Sequence, residues 1–236
     1  MRDEGKLIAK ILVLAMAFAF SACGKSAAEN VPVVPSSIIT PAPALPESPI
    51  RSVDFGNFTY PWTEEMSSAD EKILTLKNGK REFVINGQIG VSLSKPEYGD
   101  VTNDGEEEAL INLSVQTGGS SMPNMIYVYT LENKKPKLLW SFDTGDRAEG
   151  GFKKIYAEHG ELVVELFGDG KFENGKRSFD IPKGKFKGLC CPTVFTKNRF
   201  KWNGEKFVVE GTPELFDYDP KNQQKENESN QNSTAF

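Results

Sequence analysis

Histidine, excess basic charge and long apolar runs are all scarce in this chain. A single His in 236 residues excludes zinc sites built on several imidazoles, although carboxylate-rich sites stay open. The 28 Lys and Arg stand against 33 Asp and Glu, a formal charge of −5, so the basic face of a nucleic-acid binder is absent. The longest apolar run is Ile11 to Phe20. As a helix it spans about 15 Å, roughly half the hydrocarbon core, and is too short for a permanent transmembrane helix. No segment carries a sustained helical stripe, and Thr63 to Lys72 is the only short helix candidate. No repeat of blade length is present, which excludes a full propeller.

What is present begins at the N-terminus. Arg2, Lys6 and Lys10 outweigh Asp3 and Glu4, the short apolar run follows, and small residues close it. These are the three parts of a secretory signal, expected over residues 1–22. Phe20-Ser21-Ala22-Cys23 resembles the bacterial lipobox, with Phe20 where an aliphatic residue is preferred. The resemblance implies a lipoprotein: Cys23 would carry the acyl chains (palmitate among them) and become the mature N-terminus. At about 0.8 kcal/mol per buried methylene, several chains make a stable membrane anchor. Gly24 in place of Asp carries no inner-membrane retention signal, so the outer membrane, facing the periplasm, is expected in a diderm organism. The alternative is a plain signal peptide with an incidental Cys.

Composition then divides the chain. Residues 23–50 hold the lipidated Cys and a linker with Pro32, Pro35, Pro41, Pro43, Pro46 and Pro49, which favours extended polyproline II. Residues 220–236 are polar and bury almost nothing, so a disordered tail is expected. The intervening 51–219 is the folded domain, and it carries the whole net negative charge. Its dominant period is two. Ile111, Leu113 and Val115 alternate with Leu110, Asn112 and Ser114, and the same pattern runs through 126–131, 138–142 and 162–166. Asn78-Gly79 and Asn203-Gly204 read as two-residue hairpin turns, with further reversals at Asn133–Pro136 and His159-Gly160. The expected fold is all-β and mainly antiparallel, a single curled sheet or β-sandwich of about nine to eleven strands.

Three segments bear chemistry. In Asp100-Val101-Thr102-Asn103-Asp104-Gly105-Glu106-Glu107-Glu108, oxygen-bearing side chains recur at alternate positions: Asp100, Thr102, Asp104, Glu106 and Glu108. A hard cation takes six to eight oxygens, and such a loop can supply several of them. The segment resembles the calcium loops of FG-GAP and VCBS repeats, with Thr102 replacing a carboxylate. The other reading is an acidic turn closed by Asx hydrogen bonds without metal. Asp143-Thr144-Gly145 after an apolar strand has the pattern of an aspartic-protease loop, but it occurs once and is followed by Asp146. Cys190-Cys191 leaves three readings open: reduced thiols, a strained vicinal disulfide, or a thiophilic metal site. His159 reads as a turn residue, and Gly118-Gly119-Ser120-Ser121 lacks the Lys of a phosphate loop.

The run from Gly99 to Ile111, the Gly-Gly-Ser segment before Ile126-Tyr127-Val128-Tyr129, and Cys-Cys-Pro ahead of a final Trp-Asn-Gly hairpin together resemble the bacterial envelope lipoproteins of the LppP/LprE group. The resemblance implies an address in the cell envelope rather than an activity. The functional expectation is a non-catalytic β-rich binding or structural domain on a lipid tether. Its partners would be the membrane, through the lipid, and an envelope protein or glycan, with no nucleic acid. The alternatives are a calcium-stabilised interaction module, with Ca2+ as its one cofactor, and an envelope hydrolase using Asp143, Asp146 or the loop near Asp104.

Overall fold

The computed structural model describes residues 48–64, 66, 71–85, 87–146, 150–173, 176–178 and 192–219. The expected signal, most of the expected linker, Cys23, Cys190, Cys191, the expected tail and half of the helix candidate (65 and 67–70) lie outside them.

Strict alternation along two long strands organises everything else. β1 (Thr59–Pro61), β2 (Ile73–Thr75), β3 (Lys80–Arg81), β4 (Gly90–Leu93) and β5 (Glu97–Gly99) are short. β6 (Glu108–Gln116) and β7 (Asn124–Glu132) are the long central pair. On one face lie Ala109, Ile111, Leu113 and Val115 of β6 with Met125, Tyr127 and Tyr129 of β7, and all are buried in a first core. On the other face Leu110, Ile126 and Val128 enter a second core. A strand buried on both faces shows apolar residues at both parities, as 109–111 and 125–129 do. These strands centre a six-stranded antiparallel sheet of order β3-β4-β6-β7-β8, where β8 is Lys135–Thr144 and β5 pairs with the start of β6.

The first core is closed by the N-terminal segment. Ile50 and Phe55, from 3-10 turns at Pro49–Ser52 and Phe55–Asn57, join Tyr60, Trp62, Leu74 and Leu76 over the sheet. Ile50, at the end of the proline-rich stretch, is thus part of the domain. Tyr60, Tyr127 and Tyr129 pack with Phe55 and Phe58 at centroid separations of 4.9–6.3 Å. Such pairs contribute about 0.5–1.5 kcal/mol each beyond the area they bury. Buried hydroxyls need partners: the Tyr60 hydroxyl donates to the Phe55 carbonyl (2.7 Å) and that of Tyr127 to the Pro61 carbonyl (2.8 Å). Burial pushes the three phenol pKa values upward, so all stay neutral.

The second core lies between the six-stranded sheet and a four-stranded sheet of order β14-β13-β10-β9. Its strands are β9 (Phe152–Glu158), β10 (Glu161–Phe167), β13 (Val194–Trp202) and β14 (Phe207–Asp217). Leu162, Val164 and Leu166 point inward with Ile155, Phe200 and Phe207, against Phe142 and Trp140 of β8. A two-stranded ribbon, β11 (Lys171–Glu173) with β12 (Lys176–Ser178), adds Phe172 to this core. The expected sandwich is therefore present, with the N-terminal segment as a third layer. Fourteen strands occur among the described residues rather than nine to eleven, because several are only two or three residues long.

The turns follow the residues at them with one exception. Asn78 and Gly79 adopt φ of 50° and 76°, Asn133 and Lys134 of 52° and 62°, His159 and Gly160 of 57° and 75°. All suit the twist of tight hairpins. Asn203-Gly204 differs: Trp202 pairs with Phe207, so the loop holds four residues. The Asn203 side chain accepts from the backbone N–H groups of Glu205 (3.0 Å) and Lys206 (2.9 Å), which stabilises the longer loop.

Candidate functional site

The second-core face of the six-stranded sheet is apolar only in part. Along β6 the residues on this face run Glu108, Leu110, Asn112, Ser114, Gln116, turning polar beyond Leu110. Cross-strand register extends the polar end sideways: Lys80 of β3 lies opposite Ser92 of β4, Ser92 opposite Ser114, and Ser114 opposite Asn124 of β7. Directly opposite residues share a face, so these four form one row across the sheet. The Ser114 hydroxyl donates to Asn124 Oδ1 (3.0 Å), and Ser92 and Gln116 are exposed. Here the surface is indented by a cleft of about 310 Å3, walled by Lys80, Glu82, Phe83, Ser92, Gln116 and Met122 among others.

Phe83 is the fixed wall. A Cβ on Gly118 would sit 2.6 Å from Phe83 Cζ, and one on Gly90 would sit 2.8 Å from Phe83 Cβ. The ring thus occupies a slot that only two glycines leave open, and Gly118 also adopts φ +84°, a left-handed conformation suited to Gly. The Gly118-Gly119-Ser120-Ser121 segment, which offered no phosphate-loop context, has this packing role. Gln88 Nε2 donates to the Glu82 carbonyl (2.7 Å) and holds the neighbouring turn. Arg81 also borders the cleft, but its two terminal nitrogens fork onto Glu71 at 2.7 and 3.1 Å and its guanidinium lies 5.3 Å from the Trp62 ring centre. Met122 is 57% exposed at the rim.

The acidic loop lies elsewhere, and its carboxylates face inward to backbone. Asp100 accepts from the N–H groups of Asn103 (2.6 Å), Asp104 (3.2 Å) and Gly105 (2.9 Å), and Asp104 from that of Glu106 (2.9 Å). Asn103 and Gly105 supply the left-handed φ values this closure needs. Glu108, fully buried, accepts from Val101 N–H (3.0 Å), Thr102 N–H (3.3 Å) and the Thr102 hydroxyl (3.4 Å). Burial raises its pKa, against the lowering effect of those donors. Glu107 takes a bidentate fork from Arg51 at 2.6 and 2.7 Å, and this pairing holds its pKa low. Glu106 is exposed. Among the described residues no group of three or more His, Cys, Asp or Glu side chains is arranged to hold a metal.

The end of β8 and the loop after it, which carry Asp143-Thr144-Gly145, meet the loop after β10, and the acidic loop is remote from both. Gly145 bridges to Gly151, Phe167 N–H donates to the Gly151 carbonyl (2.8 Å), and the Gly150 Cα borders Gly170. The loops after β8 and β10 therefore adjoin. The acidic loop instead contacts the other end of β10, where a Cβ on Gly160 would fall 2.5 Å from Asn103 Oδ1. The seven residues of β10 separate the two ends, about 20 Å. Asp143, 6% exposed, receives the Thr63 hydroxyl at its carboxylate, while Arg177 Nε donates to its carbonyl (3.1 Å). It is enclosed by structure rather than presented to a substrate. His159 is exposed in its turn.

The outer face of the four-stranded sheet is charged but self-paired. Arg199 meets Glu158, Glu161 and Glu214, Lys201 meets Glu161 and Glu210, and Lys153 meets Glu165 beneath the Tyr156 hydroxyl. The cleft beside Phe83 is the feature that sequence reading missed. Its polar row follows from the 112–116 alternation, but the Phe83–Gly118 contact joins positions too far apart to show as a pattern. No family model matches this chain, and neither does any curated protein or solved structure.

Proposed function

We propose that this chain is a bacterial envelope lipoprotein, anchored through acyl chains on Cys23, whose β-rich domain binds a partner without catalysing its conversion. The observation that carries the reading is Phe20-Ser21-Ala22-Cys23 at the end of a ten-residue apolar run, followed at once by a proline-rich stretch. A short apolar run with a positive start and small exit is a translocation signal, and acylation would give a durable hold on the bilayer. The prolines keep the tether extended, holding the domain clear of the surface.

The binding role draws on the domain's geometry. Its carboxylates are committed to backbone donors at Asp100 and Glu108, to the Arg51 guanidinium at Glu107 and to the Thr63 hydroxyl at Asp143. An indented, solvent-open surface lies at the β3–β4–β6 edge, lined by hydroxyl, amide, aromatic and charged groups. Such a surface holds ligands rather than polarising bonds. Fractionation of cells tests the anchor. The wild-type chain should stay in the membrane pellet through an alkaline carbonate wash, and Cys23→Ala should leave it. Equal partitioning of both would overturn the reading.

A further inference from the structure

We propose that the cleft beside Phe83 binds a neutral saccharide. The inference rests on the binding-domain reading above and adds to it the class of ligand and the residues that hold it.

The chemistry of the lining argues for this class. Ser92 and Gln116 each offer both donor and acceptor atoms, and Ser114, whose hydroxyl donates to Asn124, offers its acceptor lone pairs. A saccharide presents hydroxyls that donate and accept at short intervals, so a row of hydroxyl and amide side chains pairs with it in either sense. One charge of each sign, Lys80 and Glu82, borders this row. Arg81, the further cation there, is already forked onto Glu71. An anionic ligand would therefore meet no surplus positive charge, and a purely apolar one would leave the amide and hydroxyls unpaired.

The aromatic group supplies the second half of recognition. The face of a pyranose ring bearing axial C–H groups is weakly positive and packs on the negative face of an aromatic ring. Phe83 is held in its slot by Gly90 and Gly118, so little side-chain freedom is lost when a ligand arrives. The exposed Met122 beside it adds a polarisable, adaptable contact at the rim. The cleft volume of about 310 Å3 falls at the small end of ligand sites, suiting a short stretch of sugar units rather than a folded partner.

The test uses the purified full-length chain in detergent micelles, 15N-labelled, titrated with cellotetraose, maltotetraose and chitotetraose in turn. An acidic extended pentapeptide serves as the competing class. At least one tetrasaccharide should shift the backbone resonances of Ser92, Ser114 and Gln116 saturably at millimolar concentration. Phe83→Ala and Gln116→Ala should each weaken that binding about tenfold or more. Gln116 is exposed, so its variant should melt with the wild type and carries the test if Phe83→Ala loosens the fold. No shift with any of the three sugars overturns the proposal. So does saturation of these residues by the peptide alone, or wild-type affinity in Gln116→Ala. Binding is read on isolated protein, so a chain that binds sugar yet is not acylated at Cys23 overturns only the anchor.

Discussion

Replacing Glu108 by Ala tests how the acidic loop is held. The carboxylate is fully buried and accepts the backbone N–H groups of Val101 and Thr102 and the Thr102 hydroxyl, with the Thr130 side chain as a further donor. Ala removes every acceptor at once. Val101 is wholly buried, so its N–H gains no water in exchange, whereas Thr102 is half-buried and recovers part of its solvation. An unsatisfied buried donor costs about 1–3 kcal/mol, and relief from burying a carboxylate offsets some of the total. The expected loss is about 2–3 kcal/mol, a fall in Tm of roughly 4–12 °C for a domain of this size. Glu108→Gln keeps one oxygen for the backbone donors and an amide for the Thr102 hydroxyl, so it should stay within about 1 kcal/mol of wild type. Urea unfolding of the three proteins, followed by tryptophan fluorescence, decides. A Glu108→Ala midpoint equal to wild type would refute the view that this carboxylate is a structural acceptor.

Other expectations follow from the same geometry. Because burial raises the pKa of Glu108, the folded state binds its proton more tightly than the unfolded chain does. The contribution of this group is complete below the ordinary Glu value and is lost as pH rises through the folded value. The stability of Glu108→Gln relative to wild type should therefore increase as pH is raised across that window; a constant difference would count against it. Gly99→Ala should lose about 1–3 kcal/mol by thermal melting, since its methyl would overlap that of Ala157 on β9; an unchanged Tm would contradict the close approach of β5 to β9. Calcium should leave the Tm unmoved against EDTA, as the oxygens of Asp100 and Glu108 are occupied by backbone donors. A rise of several degrees would restore the metal reading of the loop.

The parts of the fold legible in the sequence are those where one residue pattern has one structural solution. Residues 109–111 and 125–129 are apolar at both parities, as suits a strand covered on two sides. Asn78-Gly79 and His159-Gly160 place positive φ where tight hairpins need it. The acidic loop shows where the correspondence breaks. An Asp, Asn and Gly spacing serves an Asx turn and a cation loop alike, and the difference lies in whether the carboxylates point to backbone N–H or to a common centre. The described residues between 49 and 76 pack on one face of the sheet through segments of three or four residues, too short to display any period. The Phe83 slot depends on glycines at 90 and 118, which share no local pattern with it.

Mass spectrometry of the mature N-terminal peptide from membrane-extracted protein tests the central claim most directly. The expected peptide begins at Cys23 and carries a diacylglyceryl mass on its sulfur, and it is absent from Cys23→Ala. A peptide running through Ala22 into an unmodified Cys23 would contradict it.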